Sequence, residues 1–187
     1  MFLLFPHSLH PNGYTLLSAG LDCLVQTWDI RKLSDNRKSK TAKVRQPLAS
    51  YHCGKSVNSA YFSPSGKYVV ATTMANKLDI FEDIHTKTSS STKNSQLQPT
   101  KSIRHDNMTG RWLSTFMATW HPVEDIFCVG SMRKPRAVEV FDANGKLLRA
   151  IQGEALTAVA SRCCFHPRTD QLTIVGGNSS GRVTVLR

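Results

Sequence analysis

The side chains best suited to acid–base or metal chemistry in this sequence are its seven histidines. Three of them, His10, His121 and His166, each stand immediately before a proline in a recurring context, so we assign them to the structure of a repeat. The other histidines form no acid–base pair or nucleophile set with Asp or Cys at a spacing that such chemistry requires. The sequence therefore predicts no catalytic residues, no metal site and no cofactor, and a protein that is not an enzyme.

Five cysteines offer a second possible source of chemistry, at Cys23, Cys53, Cys128, Cys163 and Cys164. Their spacing matches neither paired zinc ligands nor a disulfide framework. Four of them lie in or next to apolar runs that are typical of strands. We therefore expect these residues to be small buried hydrophobic side chains in a reducing compartment.

Positive charge is the clearest compositional indication of a partner. The chain has 24 Lys and Arg against 13 Asp and Glu, a formal net charge of +11, which favours a polyanion. Part of this charge falls in two segments, 32–47 and 85–101, that we expect to be flexible basic insertions, since the second is rich in Ser, Thr, Asn and Gln. Three more cations, Arg133, Lys134 and Arg136, surround Pro135. They form either a phosphate-facing basic loop or a solvated charged turn.

The chain contains a repeat that is marked by proline. Pro11, Pro64, Pro122 and Pro167 are each followed by a polar turn and two apolar runs. The second runs close at Trp28, Phe81, Phe141 and Leu186. The proline-to-closing separations are 28−11 = 17, 81−64 = 17, 141−122 = 19 and 186−167 = 19 residues. Because the runs alternate in polarity as half-buried strands do, the sequence predicts an all-β chain. Its four units lie near residues 7–31, 52–84, 102–143 and 153–187.

The stretch from Leu16 to Arg31 resembles a blade of a WD40 β-propeller, because two short strands meet at a turn near Asp22 and the second closes on Trp28 and Asp29. Such blades take about 40–45 residues. The observed proline-to-proline distances, 64−11 = 53, 122−64 = 58 and 167−122 = 45, therefore leave room for two insertions. WD40 rings usually close with about seven blades. The resemblance thus implies a partial propeller, about four C-terminal blades of a larger ring.

The same stretch is similar to the motif of WD40 substrate receptors of cullin-4 ubiquitin ligases. That motif has two aliphatic residues, three small ones, an acid and a closing Trp-Asp-x-Arg, supplied here by Trp28, Asp29 and Arg31. The sequence departs from it at Thr27, where the family prefers an aliphatic residue. The resemblance implies docking on the damaged-DNA-binding adaptor of the ligase, with Arg31 reaching the adaptor. The alternative is that Asp29 and Arg31 only cap a turn, as they do in many propellers.

The later blades resemble the WD40 family of the small UV-damaged-DNA-binding subunit and WD repeat-containing protein 76. The resemblance is carried by the segments Val57–Phe81, His105–Pro122 and Gly176–Gly181. In the damage-binding subunit a loop before the equivalent Trp-His-Pro carries a wedge that enters the duplex at a lesion. Alignment on that tripeptide places Arg111 and Trp112 over the wedge. An aromatic ring can fill the space of an unstacked base, and Arg can contact phosphate. The alternative is that Trp112 packs between blades.

Taken together, the resemblance implies a DNA-binding WD40 module that acts on chromatin in the nucleus during the DNA damage response. Arg111 and Trp112 would contact DNA, with Arg133, Lys134 and Arg136 supporting them through phosphates. The expected partners are DNA, including UV-damaged duplex, the cullin-4 ligase adaptor and chromatin proteins. The alternative function is a substrate-receptor scaffold of that ligase. No stretch approaches the roughly 20 apolar residues of a membrane span, so no membrane partner is expected.

Overall fold

A computed structural model describes residues 7–32, 46–84, 95–110, 113–167 and 172–187. Its strands are β1 (His7–Leu9), β2 (Thr15–Ala19), β3 (Leu24–Asp29), β4 (Ala49–His52), β5 (Val57–Phe62), β6 (Tyr68–Thr73), β7 (Lys77–Glu82), β8 (Ser95–Gln96), β9 (Lys101–Arg104), β10 (Thr119–Trp120), β11 (Ile126–Ser131), β12 (Ala137–Asp142), β13 (Leu147–Ile151), β14 (Arg162–Phe165), β15 (Ile174–Gly177) and β16 (Val183–Leu186). A 3-10 turn, Ile30–Lys32, follows β3.

These strands form four sheets, which confirms the all-β prediction. The strand orders are β1-β2-β3-β4-β8, β5-β6-β7-β9, β10-β11-β12-β13 and β14-β15-β16. All pairings are antiparallel except that between β4 and β8, which is parallel. The outer strand β4 follows the first segment predicted as an insertion, 32–47, and the outer strand β9 begins at the last residue of the second, 85–101. Residues 33–45 and 85–94 of those segments lie outside the described residues.

The strands form where side chains alternate between a buried and a more exposed side. In β3, Val25, Thr27 and Asp29 are buried while the residues between them are only partly buried. The hairpin from β2 to β3 turns at Cys23, whose φ of 64° is a left-handed conformation. This turn holds Ala19 opposite Val25 and Thr15 opposite Asp29. The expected alternation and turn are both confirmed.

Successive sheets pack face to face through three apolar clusters. The first joins sheets one and two around Leu17 and Phe81, and the last joins sheets three and four around Cys128 and Phe165. The middle cluster joins sheets two and three around Phe127, whose side chain is fully buried. Sheets two and three therefore use both faces in packing, and the order of the sheets follows the order of the chain.

Contacts between neighbouring sheets bring the corresponding ends of the sheets together. We call the end with the turns at Pro11, Pro64 and Pro122 the proline end. There His10 Nε2 lies 3.1 Å from the carbonyl oxygen of Gly66 in the next sheet. A Cβ at Gly66 would lie 2.4 Å from that nitrogen, and its φ is +76°, so only glycine fits. This contact, together with the edge-to-face packing of His121 on Phe165, supports the structural role assigned to these histidines.

The opposite end of the sheets, which we call the hairpin end, contains the hairpins 20–23, 74–76, 132–136 and 178–182. It also contains the links from each sheet to the next, because β4, β9 and β13 all run toward this end. The links into the third and fourth sheets are 105–118 and 152–161. A Cβ on Gly130 would lie 1.8 Å from the carbonyl oxygen of Ala160, so the third sheet and the second of these links approach closely.

The cysteines match the expectation only in part. All five are free thiols, and Cys53, Cys128 and Cys163 are buried. Burial raises the pKa of the Cys53 thiol to about 12. Cys164, however, is exposed, because neighbouring residues of β14 point to opposite faces and Cys163 takes the buried one. Cys23 is half-buried in its hairpin.

Candidate nucleic-acid interface and docking residues

The link that leads toward Arg111 and Trp112 is fixed by a buried asparagine. Asn107 is fully buried, and its Nδ2 donates to the carbonyl oxygens of Thr73 and Lys77 at 2.8 and 3.0 Å. Its backbone N–H donates to Asn76 Oδ1 at 3.0 Å. Residues 105–110 are therefore held against the β6–β7 hairpin, which leaves the Met108 side chain 50% exposed at the surface.

Arg111 and Trp112 themselves lie outside the described residues. Their assignment as DNA contacts therefore stays a prediction. The residue before them, Gly110, has a φ of +67° and is exposed. The segment 105–110, which is held against the hairpin of the second sheet, ends at this glycine.

The basic turn at residues 132–136 lies at the same end. The guanidinium of Arg133 donates to Glu139 Oε1 at 3.1 Å, and that of Arg136 donates to the carbonyl oxygen of Met132 at 3.0 Å. Lys134 is exposed at the tip of the turn. The three predicted phosphate ligands are therefore together, with Arg133 and Lys134 exposed and Arg136 partly buried. Their role in binding DNA stays a prediction.

Glu139 joins the basic turn to the 105–110 segment. Its Oε1 accepts from Arg133 and from Ser131 Oγ, the latter at 3.3 Å, and its Oε2 lies 3.6 Å from His105 Nε2. The other ring nitrogen of His105 is 2.7 Å from Asn107 Oδ1. A chain of polar contacts thus links the two candidate DNA-contacting segments. The sequence analysis missed Glu139, His105 and Asn107, although a lone acid in the apolar run of β12 was a visible signal.

Charge at the hairpin end is mixed. Further exposed cations are Lys55, Lys77, Arg104, Arg162 and Arg182, the last bonded to Thr157 Oγ1. Exposed carboxylates at this end are Asp22, Asp106 and Glu154. Positive charge at this end is therefore shared by the second, third and fourth sheets, and the basic turn of the third sheet is where three cations fall within four residues.

The three predicted docking residues lie toward the opposite, proline end. The Arg31 guanidinium donates to both carboxylate oxygens of Asp29, at 2.9 and 2.8 Å, and lies 3.8 Å from the ring centre of Tyr14. This hydrogen bond lowers the pKa of Asp29. The Arg31 side chain is still 62% exposed, so it is oriented but accessible. Trp28 donates its indole N–H to Ser18 Oγ at 2.8 Å, which ties β3 to β2 within the sheet.

Two general features concern the described residues as a whole. Among them, no group of three or more His, Cys, Asp or Glu is placed to hold a metal ion. A search of the same residues finds no helix long and apolar enough to cross a membrane.

Repeated antiparallel sheets packed face to face, each entered by a short inner strand, define a β-propeller. A solved structure of the Cps50 (Swd1) β-propeller domain from Myceliophteria thermophila matches 98% of this chain and 53% of its own, with a TM-score of 0.68 at 11% sequence identity. The chain therefore has the WD40 β-propeller fold predicted from its sequence.

Three relatives show which WD repeat proteins this chain is similar to. WD repeat-containing protein 76 of Mus musculus is 46% identical over 144 residues, 75% of this chain, and that of Xenopus laevis is 38% identical over 187 residues, 96% of the chain. The DNA damage-binding protein CMR1 of Chaetomium globosum is 30% identical over 185 residues, 94% of the chain. The chain is a homologue of these proteins and spans 22–34% of their lengths. No protein-family model matches it.

Proposed function

We propose that this chain is a DNA-binding WD40 module that acts in the DNA damage response on chromatin, in the nucleus. The observation that carries this proposal is the homology to proteins named DNA damage-binding, over 94% of the chain. The hairpin end of the third sheet supports it, because the basic turn and the segment that leads to Arg111 and Trp112 are joined there through Glu139. Lys134 supplies accessible positive charge, and Trp112 supplies a ring for stacking.

The proposal predicts a steep dependence of duplex binding on salt. Each phosphate that a cation neutralises contributes about 0.9 to the slope of log affinity against log salt concentration. Contacts from Arg133, Lys134 and Arg136 would together give a slope of about −2.7 or steeper, since 3 × 0.9 = 2.7. Fluorescence anisotropy of a labelled duplex, titrated with the full chain at about 50 to 200 mM salt, measures this slope. A flat salt series would remove the phosphate-contact hypothesis.

A second candidate function is that of a substrate-receptor scaffold that docks on the damaged-DNA-binding adaptor of a cullin-4 ligase. The observation that favours it is Arg31, which is oriented by Asp29 and Tyr14 yet mostly exposed. This residue lies at the proline end, whereas the basic turn with Arg133, Lys134 and Arg136 lies at the hairpin end. The two functions therefore use different surfaces and are compatible in one protein.

Replacing Arg31 with alanine is expected to abolish co-purification of the adaptor with the full chain. The change removes the exposed guanidinium but leaves the Trp28–Ser18 hydrogen bond in place. Lys67→Ala is a matched control, because Lys67 is another exposed cation at the proline end that contacts a tyrosine, Tyr68, and a carboxylate, Glu82. Normal recovery of the adaptor with Arg31→Ala would show that the docking hypothesis is wrong.

A further inference from the structure

The outer edge of the third sheet is an accessible strand edge. Within the part of the chain that the structure describes, β13 pairs only with β12, on its inner side. The pairing shifts register between Val140 and Phe141, which leaves Leu148 without an opposite residue in β12. Leu147 and Leu148 are 43% and 50% exposed. An edge strand with exposed aliphatic side chains is a template for pairing with another chain.

The first sheet already carries an added strand at the corresponding edge. There β8 pairs in parallel with β4 through Ser95 and Gln96 only. The next residue, Leu97, donates its backbone N–H to Ser50 O at 3.0 Å and is 3% exposed within the first apolar cluster. In this protein a short strand of the same chain therefore lies on the outer edge of a blade through two residue pairs and one aliphatic anchor.

The charges beside β13 indicate the kind of strand it accepts. Lys146 and Arg149 are exposed on either side of the two leucines, and Lys101 of β9 lies against the neighbouring turn at Gly145. Like charges in opposed strands destabilise pairing, so a second copy of this edge is disfavoured. Acidic side chains in an added strand would instead meet opposite charge, which also increases the rate of association.

We propose that the outer edge of β13 binds an acidic partner protein by strand addition. The segment bound is extended, with an aliphatic residue that packs on Leu147 and Leu148 and with Asp or Glu beside it facing Lys146 and Arg149. Backbone hydrogen bonds to the edge hold the segment, and the charges select it. This surface lies on the outer rim of the third sheet, away from Arg31, and the proposal does not depend on DNA binding.

The edge of β16 is a separate place where a strand could add. The fourth sheet has three strands among the described residues, and Val183 and Val185 of β16 are 67% and 57% exposed. A strand added to β16 would complete that sheet to the four antiparallel strands that the others have. Exposed Arg182 and Arg187 flank this strand, so the variants Leu148→Glu and Val185→Glu, and not the charge preference of the bound segment, distinguish the two edges.

The test uses the full chain and a labelled ten-residue peptide of alternating Glu and Ile. Two matched peptides replace Glu with Lys or carry a proline at the centre, which removes a backbone donor. We expect the acidic peptide to bind and both matched peptides to bind at least about tenfold more weakly. Leu148→Glu and Arg149→Glu should each weaken the acidic peptide by about tenfold or more. The exposed Val123 and Lys55 provide control variants, Val123→Glu and Lys55→Glu, that should leave its binding unchanged.

Several results would overturn the proposal. These are equal binding of all three peptides, no binding of the acidic peptide, or unchanged binding after both β13 substitutions. If Val185→Glu removes binding while Leu148→Glu does not, the strand adds at β16 and the assignment to β13 is wrong. Amide hydrogen exchange gives a second readout, because strand addition should slow exchange within 147–151, and unchanged exchange there would contradict the proposal.

Discussion

The full chain carrying Phe127→Ala is expected to lose about 3–5 kcal/mol of its free energy of unfolding. Phe127 is fully buried, with its ring centre 5.1 Å from that of Trp120 and 5.4 Å from that of Phe141. It belongs to the cluster that joins sheets two and three. Alanine removes the aromatic contacts and leaves a cavity that the paired strands around it cannot close.

Urea denaturation, followed by circular dichroism, measures this loss. Val123→Ala is the matched control, because Val123 is 76% exposed and its truncation should change the unfolding free energy by no more than about 0.5 kcal/mol. A loss below about 1 kcal/mol for Phe127→Ala would contradict the packing between sheets two and three described here.

Replacing Arg133, Lys134 and Arg136 together with alanine is expected to weaken duplex binding by at least about tenfold and to make the salt slope shallower by about 2.7. The three cations lie in one turn, so they approach the same stretch of phosphate backbone. Glu139 would lose its bond from Arg133 but keep that from Ser131, so the carboxylate stays partnered. Anisotropy titrations of the triple variant across salt concentrations measure both quantities.

A matched triple variant controls for total charge. Lys67, Lys101 and Lys146 are exposed cations toward the proline end, and their replacement by alanine removes the same net charge. Its salt slope should match that of the unmodified protein. If the two triple variants behave alike, binding depends on net charge alone and the basic turn is not a specific contact.

The repeat made the strands predictable. Proline turns, closing hydrophobic residues and alternation depend on residues close in sequence, so β2, β3, β6, β7, β11 and β12 could be placed directly. The hairpin at 178–182 is closed locally as well, with Asn178 Oδ1 accepting from the backbone N–H groups of Ser180 and Arg182. The added strand β8 could not be foreseen, because two paired residues in a polar segment give no periodic signal.

The candidate site was less predictable, because its supports join residues distant in sequence. Asn107 donates to carbonyl groups 34 and 30 residues earlier in the chain. Glu139, in β12, lies near His105, which is in the link from the second sheet to the third. Such contacts depend on which sheets pack together, which a single sequence pattern does not specify. The cluster of cations around Arg133 could be recognised in the sequence. Its partial neutralisation by Glu139 could be recognised only in the structure.

The most direct test of the central proposal compares binding of the full-length protein to a labelled duplex with and without a UV lesion, for the unmodified protein and for Trp112→Ala. We expect tighter binding to the lesion, and a loss of about tenfold or more in the variant, roughly 1.4 kcal/mol and within the range for stacking on one base. Equal binding of both duplexes by both proteins would contradict damage recognition through Trp112 and would favour the scaffold function.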